Sequence, residues 1–198
     1  MVEIAPGIAA RDAVWREREV EGLMRAGCRV VHVDGRAGHA QRAVSTLRPL
    51  MRRYEGIIDL HGGADDFAEL ALVGADSITF DASAVDDVAA AIAALRDYSV
   101  DQVGVAFGPD FEPTWVATVA AGADLILCAY SGESATERLR RLAGLLPPGV
   151  ALQVEGDVSG ENVGTLFNAG AKVMIADKAI FEREDLPRAY RQLVQALA

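Results

Sequence analysis

Two short stretches of the chain carry a histidine and an aspartate two residues apart, a spacing that could place metal-binding side chains together. The first is "VVHVD", with His32 and Asp34, and the second is "IIDLH", with Asp59 and His61. Because side chains alternate between the faces of a β-strand, residues two apart share a face. Imidazole binds zinc, iron, manganese or cobalt, and carboxylate oxygens fill the remaining ligand positions. The two stretches therefore raise the possibility of a divalent-metal site.

Eight short apolar runs, separated by stretches with helical periodicity, indicate the strands that would position these residues. The runs are "VEIAPGI", "CRVVHVD", "GIIDLH", "DSITFD", "QVGVAF", "DLILCAY", "ALQVEG" and "KVMIAD". Continuous apolar runs are typical of parallel strands that are buried on both faces. Eight strands alternating with eight helices predict an α/β fold, a single (β/α)₈ TIM barrel over residues 1–198 with short loops. A doubly wound open sheet is the alternative, but no Gly-rich fingerprint follows the first strand.

In a barrel of this kind, residues at the C-terminal ends of the strands converge on one mouth. The polar residues predicted there are His32, Asp34, Asp59, His61, Asp81, Glu155, Asp177 and Lys178. A single strand-end histidine more often completes a polar network than binds a metal, so only the whole set favours a metal site. We predict one divalent ion (Zn, Fe, Mn or Co) held by His32, Asp34, His61 and Glu155. Asp34 and Glu155 would also lie on opposite faces of a bound substrate, as a pair of catalytic acid/base groups.

Composition and charge exclude several classes of partner. The chain has 198 residues and a net charge of −10, which argues against nucleic acid because phosphate binding needs a basic face. No apolar run reaches the roughly 18 residues of a membrane span, and no secretory signal is visible at the N-terminus. Cys28 and Cys128 lie in apolar runs, as buried free thiols of a reducing compartment would. We therefore expect a cytoplasmic protein that binds neither nucleic acid nor membranes.

Motifs in a fixed order along nearly the whole chain resemble those of one enzyme family. They are "IAPGIAARD", "VVHVDG", "IIDLH", "VGVAFGP" and "LQVEGDVSGENVGTLFNAGAKVMIADKAIF". They are similar, in order, to Ile-Ala-Pro-Ser-Ile-Leu-Ser-Ala-Asp, His-x-Asp, Asp-x-His, Gly-x-Ala-x-x-Pro, and a closing series that runs from Val-Asp-Gly-Gly-Val to Gly-Ser-Ala-Ile-Phe. These are motifs of the ribulose-phosphate 3-epimerase family. Each motif alone is weak, but their order and spacing together are fairly specific.

The resemblance implies a fold, a cofactor and a reaction. The fold is a ribulose-phosphate-binding barrel, and the cofactor is a divalent metal held by two histidines and two aspartates. The reaction is a carbohydrate isomerisation, in which a proton next to a ketose carbonyl is removed, an enediolate forms, and a proton returns on the other face. By this resemblance His32 and His61 match metal ligands, and Asp34 matches a ligand that is also an acid/base. Glu155 stands where the family has its second aspartate.

The departures from the family pattern fall mostly at the positions that would contact substrate. Those positions are Gly7, Asp81, Gly156, Asp157, Asp177 and Lys178. The family holds a phosphate with backbone N–H groups of loops six to eight, where Asp157 and Asp177 replace glycines. Two added carboxylates would repel a phosphate dianion unless Lys178 neutralises one of them.

We therefore expect a metal-dependent epimerase that acts on a small-molecule sugar, either a non-phosphorylated or an amino sugar, and that forms a homo-oligomer. One alternative is an ordinary ribulose-5-phosphate/xylulose-5-phosphate 3-epimerase. A second alternative is a barrel that has lost catalysis and has a binding or regulatory role.

Overall fold

The structure, a computed structural model, describes residues 2–35, 37–63 and 67–197. Its strands pair in parallel in sequence order and close into a barrel, β1 beside β8, so the predicted (β/α)₈ fold is confirmed. The strands are β1 (Glu3–Ala9), β2 (Val30–Asp34), β3 (Ile57–Gly62), β4 (Ser77–Asp81), β5 (Gln102–Phe107), β6 (Leu125–Tyr130), β7 (Ala151–Gly156) and β8 (Val173–Ala176).

The helices follow the strands around the outside of the barrel. They are α1 (Glu17–Arg25), α2 (Ala37–Tyr54), α3 (Phe67–Leu72), α4 (Val88–Asp97), α5 (Pro113–Val119), α6 (Glu133–Ala143), α7 (Val163–Asn168), α8 (Lys178–Phe181) and α9 (Leu186–Gln195). The described part of the chain thus has one α-helix more than the eight expected, because two α-helices follow β8. The second of them, α9, has its own start, where the Asp185 side chain accepts a hydrogen bond from the Arg188 N–H.

The apolar runs form strands because both of their faces are covered. A small cluster of Ala5, Val30, Ala106, Leu127 and Ile175 comes from five different strands and fills the barrel interior. The opposite faces of the strands pack with the helices in one large apolar cluster. Burying both faces removes apolar surface from water all round the barrel, which favours the closed parallel sheet.

Both cysteines of the chain lie in the apolar core. Cys28 and Cys128 are both buried and free, as predicted. Burial raises the pKa of the Cys28 thiol to about 12, so it is not a reactive thiolate. Within the described ranges, none of the helices has the length and apolar character needed to cross a membrane.

Strand register brings the two His/Asp stretches side by side. Across the β2–β3 pair, His32 lies opposite Asp59 and Asp34 lies opposite His61. In the closed sheet β1 and β8 lie between β2 and β7, so Glu155 approaches the same mouth from the other side. The fold therefore supplies polar groups to one end of the barrel from both halves of its circumference.

Candidate metal centre and substrate cavities

The two ring nitrogens of His32 differ in their surroundings, because only Nδ1 has a hydrogen-bond partner among the described residues. Its side chain is 2% exposed, and Nδ1 lies 2.8 Å from Asp59 Oδ2. A carboxylate only accepts hydrogen bonds, so Nδ1 carries the proton and Nε2 of the neutral ring keeps its lone pair. Nε2 is buried and has no hydrogen-bond partner among the described residues. Leaving such an atom unpaired is costly, and a metal ion is the partner that suits it.

Asp59 is the centre of a buried network that holds His32. The carboxylate is 1% exposed and accepts hydrogen bonds from His32 Nδ1, Ser77 Oγ and, at 3.3 Å, Gln153 Nε2. Burial by itself would raise the pKa of Asp59, but the hydrogen bonds and the nearby imidazole together lower it. Asp59 therefore stays charged and fixes the orientation of the His32 ring.

Ser77 and Gln153 were not predicted to belong to the site. Each is a polar residue in an otherwise apolar strand, in "SITF" and "LQV". Gln153 is two residues before Glu155, so both side chains lie on the same face of β7. The two-residue spacing from Glu155 was the sequence signal that could have identified Gln153.

His61 and Glu155 complete a compact group of possible metal ligands with His32. One ligand atom from each of the three residues lies within 4.8 Å of the other two. Neither ring nitrogen of His61 has a hydrogen-bond partner in the described ranges, although Asp81 Oδ1 lies 3.4 Å from Nε2. Two imidazoles and a carboxylate at this spacing fit a divalent metal ion.

The surroundings of His61 are strongly negative. Burial lowers the pKa of His61, but Asp81, Glu155 and Asp34 together outweigh it and raise that pKa above its usual value. Asp81, in return, has a lowered pKa because of its contact with His61. The carboxylates that favour a positive charge on this imidazole would equally favour a bound cation.

Asp34 and Gly7 lie in a small cavity beside the metal group. The cavity, of about 180 Å³, is lined by both of them together with His32, Glu155 and Asp177. Asp34 is exposed and is not part of the three-residue group within 4.8 Å. A Cβ atom at Gly7 would lie 2.9 Å from Ile175 Cγ2, so a larger residue there would crowd the barrel interior.

The remaining predicted substrate contacts from β7 and β8 line a second cavity. It measures about 400 Å³ and includes Gly156, Asp157, Asp177 and Lys178. Arg183 and Glu182, which were not predicted, line it as well, so three carboxylates face two cationic groups. The Asp177 carboxylate lines the cavity and also accepts a hydrogen bond from the backbone N–H of Lys178 at the start of α8.

Gly156 is required by the backbone at the edge of this cavity. Its φ is +110°, and a Cβ atom there would lie 2.5 Å from the carbonyl oxygen of Tyr130. Only glycine adopts this conformation without strain and leaves room for the neighbouring strand. Asp81, which contacts His61, also lines a third cavity between the ends of β4 and β5. The predicted substrate contacts are thus distributed over three cavities around one mouth.

Replacing Asp59 by Asn should weaken metal binding by about 10- to 100-fold, as losses of outer partners of histidine ligands do. The amide keeps the volume of Asp59 but no longer fixes the proton on His32 Nδ1. Competition with a fluorescent chelator measures the affinity, with Asp97→Asn, an exposed aspartate at the end of α4, as the matched control. Unchanged affinity in a folded Asp59→Asn protein would show that Asp59 does not position the ligand.

Comparison with known proteins places the chain in one family. A model of the ribulose-phosphate 3-epimerase family matches residues 3–181. The chain is 26% identical to the ribulose-phosphate 3-epimerase of Escherichia coli K12, over 98% of this chain and 96% of that protein. It is 27% identical to the ribulose-phosphate 3-epimerase of Serratia marcescens, over 92% and 96% respectively.

Similarity to solved structures supports the fold alone. Thiamine phosphate pyrophosphorylase from Pyrococcus furiosus superposes with a TM-score of 0.76 at 16% identity, over 99% of this chain and 95% of that one. The functional assignment therefore comes from the match to the family, which spans all eight strands and includes the metal group of His32, His61 and Glu155. The chain belongs to the ribulose-phosphate 3-epimerase family and is an enzyme of the isomerase class.

Proposed function

We propose that this enzyme inverts the carbon next to a ketose carbonyl, and that it needs a divalent metal ion to do so. The observation that carries the proposal is the group formed by His32, His61 and Glu155. Its ligand atoms lie within 4.8 Å of one another, and the buried ring nitrogen His32 Nε2 has no hydrogen-bond partner among the described residues. A divalent metal ion would give this donor set the partner that it lacks.

The metal would be held by His32 through Nε2, by His61 and by Glu155, with Asp34 as the proposed fourth ligand. When bound, a divalent ion stabilises the negative charge that develops on substrate oxygens as a proton leaves the adjacent carbon. Zinc, iron, manganese and cobalt all accept a mixture of imidazole and carboxylate ligands.

Asp34 and Glu155 are the proposed acid/base pair. They line the same cavity from β2 and β7, two strands that are separated by β1 and β8. One carboxylate accepts the proton from the carbon, and the electron pair of the broken C–H bond moves into the enediolate. The other carboxylate donates a proton to the opposite face, which inverts the configuration, and the roles exchange in the reverse reaction.

The proposed substrate is neutral or cationic at the end that enters the β7–β8 cavity. In the family, backbone N–H groups at this place hold a phosphate. Here the Lys178 N–H already donates to the Asp177 carboxylate, which therefore takes the position of an anionic ligand. Asp157 and Glu182 add further negative charge to the cavity.

We expect kcat/KM on ribulose 5-phosphate to stay below about 10⁴ M⁻¹s⁻¹, the lower end for ordinary enzymes. The Lys178 N–H, which already donates to Asp177, and the added carboxylates both disfavour a bound dianion. The matched variant is the double substitution Asp157→Gly and Asp177→Gly, which removes both carboxylates and should raise this value. A coupled assay of the unmodified enzyme decides the matter, since a value at or above the stated limit would mean that the phosphate site is intact.

The second candidate is an ordinary ribulose-5-phosphate 3-epimerase. Lys178 and Arg183 favour it, because both line the β7–β8 cavity and could pair with a phosphate. The same assay separates the two candidates. If the second is right, Arg183→Ala should raise KM for ribulose 5-phosphate, whereas the first predicts a KM that this substitution hardly changes.

A further inference from the structure

A third cavity lies between the ends of β4 and β5, beside the metal group but outside it. It measures about 320 Å³, and its walls include Asp81, Asp110, Phe107 and Trp115. Asp81 joins it to the metal group, because Asp81 Oδ1 is 3.4 Å from His61 Nε2. A substrate that reacts at the metal group could therefore extend into this cavity.

The aromatic wall of the cavity is held in place by contacts behind it. Phe107 and Trp115 meet edge to face with ring centroids 5.4 Å apart. The backbone N–H of Trp115 donates to the Glu112 carboxylate at 3.0 Å, which fixes the first turn of α5. Arg138 of α6 donates to the Pro109 carbonyl oxygen and so anchors the loop that closes the cavity. A wall that is already ordered spends little binding free energy on ordering.

The chemistry of the lining selects one kind of ligand. Trp115 is 50% exposed and presents an indole surface to the solvent. The polar side chains of the lining are Asp81, Asp110 and Ser83, and none of the described lining residues is cationic. Carboxylates accept hydrogen bonds from hydroxyl groups, and an indole face packs against the C–H groups of a sugar ring. A phosphate would find no positive partner among these lining residues.

We propose that this cavity is a subsite for a neutral sugar ring linked to the reacting ketose. The substrate would then be a glycosylated ketose, with one ring against Trp115 and its hydroxyl groups on Asp81 and Asp110. A volume of about 320 Å³ accommodates a ring of this size. The inference rests on the proposed function for its meaning, because it names the substrate class of the same site.

Tryptophan fluorescence tests the subsite without requiring catalysis. The chain has two tryptophans, so Trp15→Phe leaves Trp115 as the single reporter. Titration with methyl α-D-glucopyranoside should give a saturable emission change with a Kd on the order of 1 to 10 mM. Trp115→Phe, which keeps Trp15, should not respond, and Asp110→Asn in the reporter protein should bind several-fold more weakly.

Three results of the titration would overturn the proposal. The first is no saturable change up to on the order of 100 mM, a concentration that would detect even weak binding. The second is an equal response to the acyclic polyol erythritol. The third is a response to a methyl glucosaminide alone, which would assign the cavity to a cation.

Kinetics then test the link to the reaction. Solvent-deuterium exchange is compared for fructose and for two glucosyl-fructoses, one linked at C1 and one at C6. Trp115→Ala should lower the ratio of kcat/KM for a glucosyl-fructose to that for fructose about tenfold, a change equivalent to 1.4 kcal/mol. Tyr98→Ala, which removes an equally exposed aromatic at the end of α4, should leave the ratio as it was.

The two arms separate failure of the subsite from failure of the proposed function. An unchanged ratio in Trp115→Ala would overturn the subsite as a determinant of specificity. Exchange with none of the three ketoses would contradict the proposed action on unphosphorylated ketoses. The fluorescence titration would still decide whether Trp115 binds a sugar ring.

Discussion

Replacing Asp34 by Asn should lower turnover by at least about 100-fold, the usual minimum for loss of a general base. The amide has nearly the same shape as the carboxylate but cannot accept the substrate's proton. Asp34 is exposed at the end of β2, so the barrel should fold normally. Turnover is measured alongside metal content, since Asp34 is also a proposed ligand. Near-normal turnover in a metal-loaded variant would remove Asp34 from the chemistry.

Glu155→Asp is the matched variant on the other side of the cavity. It restores the residue that the family has at this position and shortens the side chain by one methylene. Because the charge is kept, a fall in turnover at constant metal content would measure the importance of reach. Glu155→Gln removes the charge as well and should lose both metal and turnover.

His61→Ala should weaken metal binding by more than about 100-fold, above the loss that follows from removing only an outer partner of a ligand. Removing His61 leaves only two of the three clustered donors, His32 and Glu155, together with the proposed ligand Asp34. Metal per chain is counted after dialysis, and cobalt(II) absorption reports the geometry of what remains. His39→Ala is the natural control, because His39 is the one histidine of the chain outside the metal group and lies exposed in α2.

Equal metal affinity in the His61→Ala and His39→Ala proteins would show that His61 is not a ligand. The measurement is independent of the substrate, so it holds whichever sugar the enzyme uses. The Asp34 variant, compared at equal metal content, therefore probes the proton transfer, whereas the His61 variant probes the binding of the ion.

The barrel was predictable from the chain because its signal is repetitive. Runs such as "QVGVAF" and "DLILCAY" are apolar on both faces, and this occurs where helices cover a parallel sheet that is also filled inside. The approach of His32, His61 and Glu155 was expected from the position of each at the end of its strand, and in the structure one ligand atom of each lies within 4.8 Å of the other two.

Contacts between strands that are far apart in sequence could not be predicted from local sequence patterns. Gln153 reaches Asp59 across 94 residues, and nothing local to either residue indicates that pair. Asp177 could be recognised as an added carboxylate, but its bond to the Lys178 N–H depends on the start of α8 directly after β8. Trp115 reads as an ordinary helix residue until the fold places it beside Phe107 at the mouth.

The most direct test of the proposed reaction is solvent-deuterium exchange by the metal-loaded enzyme with free, amino and phosphorylated ketoses. We predict one deuterium at the inverted carbon of an unphosphorylated ketose, loss of this exchange on chelation, and recovery when a divalent metal is restored. Inversion without deuterium incorporation, or exchange that persists in the fully chelated enzyme, would contradict a metal-dependent two-base epimerase.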